Sequence, residues 1–268
     1  MSEQSRARRG ALWILSAVAC LSAFAAFAED APRVVHVFVA LADNQYQGIV
    51  PVPARIGNGD DPEHNLYWGA GGGVKTYFRR AQEWTLLSSG QRPKNEILER
   101  CVFKHREKNV YLIADAYRGR EIRQAIVDFL YAAAGRSVET VTVQSGNVSV
   151  ALPAQGSASL IAYIGHDGLM DFQLGQVPKK KNEAHRDAII LACVSKSYFA
   201  NAVRESGANP LLWTTGLMAP EAYTLKSALD GWIAGEGADQ IHERAAVAYD
   251  RYQHCGLRAA RKLFASGW

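Results

Sequence analysis

Cysteine and methionine are scarce, with four and three in 268 residues. The seven histidines form no His-Glu-x-x-His, and no Cys-x-x-Cys occurs, so a zinc centre is not expected and no cofactor is called for. Gly-x-Ser-x-Gly is also missing, which excludes the nucleophile elbow of a serine hydrolase. Neither sign of charge dominates. The formal net charge is +4, and Arg6, Arg8 and Arg9 against Glu3 place +2 of it in the first 28 residues. The remaining +2 makes no footprint for nucleic acid. There is no internal repeat or low-complexity linker, and past residue 28 no apolar run approaches the length of a membrane span. A composition that is 48% hydrophobic and 21% charged excludes disorder, collagen and coiled coil.

The first 28 residues read as an export signal. A basic stretch precedes an apolar run from Ala11 to Phe27, and Ala26-Phe27-Ala28 is a small-x-small cleavage site before Glu29. The expectation is a signal peptide over 1–28 and a single α/β domain over 29–268, in a bacterial periplasm or outside the cell, off the membrane once the signal is cleaved. An uncleaved anchor is one alternative. A lipoprotein processed at Cys20 is another, although Ala17-Val18-Ala19-Cys20 lacks the usual leucine, and Arg8-Arg9 is only a partial twin-arginine signal. Cleavage leaves Cys101, Cys193 and Cys255, an odd number for an oxidising compartment. Pairing of Cys101 with Cys255 would leave Cys193 as the free thiol.

Apolar, β-branched runs recur at Val34–Leu41, Val110–Ala114, Val138–Val143, Leu160–Ile164, Ala188–Ala192 and Leu211–Thr215. Helix-period segments lie between them, over Glu121–Ala134, over Lys196–Glu205, and from Pro220, with a terminal helix or helix pair over Asp239–Phe264. Continuous apolar strands alternating with amphipathic helices predict a mostly parallel sheet covered on both faces, with its ligand site outside the carboxyl ends of the strands. Ser137–Gln155 alternates on either side of Ser145-Gly146-Asn147 and reads as a small hairpin at the sheet edge.

Two strands run into reactive residues. Leu160–Ile164 leads to Gly165-His166-Asp167-Gly168, and Ala188–Leu191 leads to Ala192-Cys193. Were both strands parallel neighbours, His166 and Cys193 would leave the sheet at one edge, ~4.8 Å apart from strand to strand. An imidazole beside a thiol, with backbone N–H groups at a glycine turn, provides the parts of a cysteine hydrolase. The helix after Cys193 would add its positive dipole end.

This pattern of hydrophobic strand, His-Gly, spacer, hydrophobic strand and Ala-Cys resembles the caspase-like cysteine peptidases, which include caspases, gingipains, legumains and metacaspases. Asp167 departs from it by standing between His166 and Gly168. The resemblance implies a caspase-hemoglobinase-like three-layer αβα sandwich and an endopeptidase acting on peptide or protein substrates. It implies a dyad of His166 and Cys193, a thioester intermediate, and an oxyanion held near Asp167 or Gly168. It also implies a substrate pocket built from Asn44 and Arg55, which follow the first strand, and from Trp213, Thr214 and Thr215. Arg55 would suit an acidic side chain, whereas Trp213 alone would suit almost any. In that family the loop holding Lys179-Lys180-Lys181 is a place of activating cleavage; by residues alone it is a solvated charge run.

Two rival readings stand beside this one. A catalytically idle protein of the same fold, exported as a binding or scaffold module, is favoured by the Asp167 interruption. An unrelated α/β hydrolase or transferase would use a carboxylate such as Asp43 or Asp115. Gly69–Thr76 is a poor phosphate loop, because Val74 separates Lys75 from Gly73 and no strand precedes it; a loop capping a helix over Val74–Trp84 fits better. Asn58, Asp60, Asp61, Glu63 and His64 lack EF-hand spacing for Ca²⁺.

Overall fold

The first apolar run becomes strand β1 (Arg33–Ala40), in which every residue after Arg33 is buried. A strand covered on both faces belongs in the middle of a parallel sheet. It pairs in parallel with β4 (Val110–Tyr117) on one side and with β7 (Leu160–Ile164) on the other. Next to β7 come β8 (Asp187–Leu191) and β9 (Asn209–Thr214), both parallel. The antiparallel β3 (Ile97–His105) and β2 (Trp84–Gln91) extend the β4 side, and the short β10 (Phe264–Ala265) closes the other, giving the order β10-β9-β8-β7-β1-β4-β3-β2. These relations come from a computed structural model that describes residues 31–268, of which 33–268 form one compact unit. The expected leader, with its cleavage site and Cys20, lies outside the described residues.

Alternation along the strands divides the core in two. Val35, Val37 and Val39 face α1 (Val74–Arg80), α4 (Ala222–Ala234), α5 (Ala238–Gln253) and α6 (Leu257–Leu263). Val34, Phe38 and Ala40 face α2 (Ile122–Ala133) and α3 (Ser195–Ser206). The molecule is thus a mixed α/β structure with helices on both faces of a mostly parallel sheet. Among the described residues no helix is long and apolar enough to cross a membrane.

Several expectations need correction. β2 and β3 were not foreseen as strands, because β2 is a half-exposed stretch whose register shifts twice against β3. The helix expected over Val74–Trp84 ends at Arg80, where Trp84 opens β2 instead. The hairpin, β5 (Val138–Ser145) and β6 (Val148–Gln155), is a separate two-stranded sheet. It lies over one face of the large sheet rather than at its edge, sinking Val141, Val143, Leu152 and Ala154 into the second core. Among the described residues Cys101 and Cys255 are unpaired, the first sealed within β3 and the second exposed beyond α5.

The hairpin is tied down by charge. Arg100 donates to Asp115 through Nε at 2.6 Å and through its terminal nitrogen at 2.7 Å, and its other face meets Glu139 of β5. His36 takes the N–H of Gln155 on Nδ1, so its Nε2–H donates to Asp115 at 3.0 Å. Burial raises the Asp115 carboxyl, but the bonds from Arg100 and His36 outweigh that and hold it at about 2.

Candidate active site

β7 and β8 are hydrogen-bonded neighbours with Ile164 opposite Leu191, so Gly165-His166 and Ala192-Cys193 leave the sheet at one edge. β1 has β4 on one side and β7 on the other, which makes the carboxyl ends of β1 and β7 the point where successive parallel strands diverge, the usual place for a ligand crevice. A cavity of about 300 Å³ opens at this edge, and both His166 and Cys193 line it. A larger cavity of about 420 Å³, between Arg33, His185 and Trp232, holds none of the expected site residues.

The backbone is bent sharply at both strand ends. Gly165 has φ +151°, and a Cβ there would stand 2.8 Å from the Ala40 carbonyl, so only glycine fits where the chain turns to aim His166. Val194, immediately after Cys193, is left-handed at φ 51°, ψ 28°. A β-branched residue there is strained by ~1–3 kcal/mol. The turn is braced from beneath. Thr214 donates to the Ala192 carbonyl and accepts the Ser195 N–H at 3.2 Å, while Ser195 Oγ donates to the Ile190 carbonyl at 2.9 Å.

His166 Nε2 lies 2.7 Å from Asp171 Oδ2, which also accepts the Gly48 N–H at 3.1 Å. A carboxylate accepts, so an Nε2–H facing Asp171 leaves Nδ1 as the nitrogen open to another partner. Cys193 is half-buried. Its sulfur receives the Met218 N–H at 3.4 Å and lies 3.6 Å from the Met218 carbonyl, and no hydrogen bond joins it to His166. Burial pushes the thiol pKa up, the Met218 bond pulls it down, and the charge of Asp167 pushes it up again. The balance favours the thiol form.

Asp167 is fully buried, with Oδ1 accepting the Leu169 N–H at 3.0 Å and Oδ2 without a partner among the described residues. Burial foremost, opposed by the Leu169 bond and aided by Asp171, raises its carboxyl to about 7. Its backbone is not left-handed, with φ −77°. The Gly168 N–H is spent on the His166 carbonyl at 3.1 Å, and neither Asp167 nor Gly168 lines the cavity.

None of the five expected substrate-binding residues lines the cavity either. Trp213 is fully buried on the α3 face, edge-on to Trp268, because its place in β9 turns it from the site. Thr214 braces the Cys193 turn, and Thr215 donates to the Lys262 carbonyl at 2.7 Å. Arg55 is exposed. Asn44 acts indirectly: it holds the Val52 backbone by two bonds of 2.7 and 3.0 Å, and Val52 is part of the cavity wall. The real walls, 48–52 and 217–220, escaped the sequence reading. The signal available was their place, since each follows a parallel strand at its carboxyl end.

The other motifs are structural. Asp115 is sealed by Arg100 and His36, and Asp43 Oδ1 caps a turn through the N–H groups of Gln45 and Tyr46. Lys75 is committed to Glu63 at 2.5 Å and Glu99 at 3.0 Å. Asp60 pairs with Arg118 and Arg120, and Asp61 with His64. Among the described residues no group of three His, Cys, Asp or Glu side chains is arranged to hold a metal ion. In comparisons with known proteins, no family model, no curated protein and no solved structure matches this chain.

Proposed function

We propose that this chain is a caspase-like cysteine peptidase that uses Cys193 and His166 to hydrolyse peptide bonds. The observation carrying the reading is that the strands ending in His166 and Cys193 are parallel neighbours and that both residues line one cavity at the carboxyl edge. Helices on both faces of a mostly parallel sheet suit the caspase-hemoglobinase sandwich, and the leader sequence supports export.

As the sulfur attacks the peptide carbonyl, the S–C bond forms and Nδ1 of His166 takes the thiol proton. The Cys193 N–H, at the cavity wall, receives the oxyanion. When the C–N bond breaks, the imidazolium returns the proton to the leaving amine. His166 then deprotonates water, which attacks the thioester, and the departing sulfur recovers a proton. Asp171 holds the ring through both steps and steadies its positive charge.

The idle scaffold is the second reading, favoured by the raised thiol and its bonds to Met218 rather than His166. Peptide turnover by the wild-type chain and by Cys193→Ala separates the two. Peptidase action requires loss of at least ~10³-fold in kcat with an unchanged melting temperature. Equal turnover by the two proteins, or a folded wild-type chain that cleaves no peptide and whose Cys193 resists peptidyl ketones, removes it.

A further inference from the structure

We infer that the cavity beside Cys193 receives an apolar side chain, so that the enzyme cleaves after residues such as leucine, methionine or phenylalanine rather than after acidic or basic ones; this rests on the peptidase reading above. Among the residues lining the cavity, none is Asp, Glu, Lys or Arg. One wall is Ile49, Val50, Pro51 and Val52, and the other is Leu217, Met218, Ala219 and Pro220. Val50 is 83% exposed and Leu217 70% exposed, apolar surface left to water at the rim of the same cavity that holds the thiol.

The walls are formed before any ligand arrives. Asn44 clamps Val52, and Asp171 holds Gly48. Opposite, Met218 is bonded to Cys193 and the Ala219 N–H to the Tyr249 hydroxyl at 3.1 Å. The two carboxylates that adjoin the lining in sequence are already engaged. Asp171 serves His166 and Gly48, and Glu221 accepts from Tyr223 at 3.0 Å and Gln253 at 3.1 Å. A basic side chain would shed its water here and find no free carboxylate, and an acidic one would find no cation.

The test is a series of fluorogenic peptides differing only in the residue before the scissile bond, assayed on the full chain, with the same peptides titrated onto Cys193→Ala. Leucine or phenylalanine is expected to exceed aspartate and arginine by at least about tenfold in kcat/KM. Leu217→Arg, on the exposed rim, should move the preference toward aspartate by about as much. Equal or better cleavage after aspartate or arginine overturns the inference while leaving the peptidase reading intact. If no peptide is cleaved, the peptidase reading falls and binding to Cys193→Ala still reads the cavity: tighter binding of the leucine peptide than the aspartate peptide supports an apolar site, and equal binding or none overturns it.

Discussion

Two carboxyl groups flank His166 and Cys193 in opposite conditions. Asp171 is partly open to water and bonded to the ring of His166, whereas Asp167 is sealed and has one oxygen without a partner among the described residues. Asp171→Asn offers an amide N–H to Nε2 and favours the wrong tautomer, so steady-state kinetics should show kcat down by at least about tenfold with KM little changed. Asp171→Glu should restore part of it. For Asp167 the sign is set by burial. Its carboxyl titrates at about 7 in the folded chain against 3.8 free, so the folded state keeps a proton that the unfolded state gives up. Stability therefore falls as pH rises between these values and is lowest above the upper one. Asp167→Asn should abolish that slope and stabilise the protein by about 2–4 kcal/mol at pH 8, read by urea denaturation. With the buried charge gone, alkylation of Cys193 at that pH should also quicken.

At the level of elements, the sequence carried the site and lost its surroundings. β7 and β8 were legible because a strand covered on both faces needs a continuous apolar run, Leu160–Ile164 in one and Ala188–Leu191 after Asp187 in the other, and the residues following them were plain. Adjacency of the two strands was not legible, since the 22 residues separating them adopt only one short 3₁₀ turn and no crossover helix whose length might have hinted at it. Trp213 and Thr214 were misjudged because β9 runs on through Thr214, which moves the wall three residues later, to Leu217. The hairpin was seen but misplaced. What decides its seat is Arg100, whose pairing with Asp115 and Glu139 depends on three separate strands meeting. Arg100→Met strands a buried carboxylate and should cost about 3–5 kcal/mol in urea denaturation, with hydrogen exchange rising first in β5 and β6.

Across the whole molecule, fold strength and candidate chemistry are kept apart. Two apolar cores on opposite faces of the sheet, with the Arg100 network in the second, hold the scaffold; the reactive edge consists of turns that the scaffold places under strain. That division explains why hydrophobic patterning forecast the architecture while the cavity lining, built by loops, had no periodicity to betray it. One atom joins two parts of that edge. Asp171 Oδ2 is shared by the imidazole and by the Gly48 amide, so the segment that walls the cleft and the His166 ring lean on a single support. On the peptidase reading, a guest that pries that wall upward tugs on the support and slackens the ring, and a tightly lodged but ill-fitting peptide would then plug the cleft as an inhibitor.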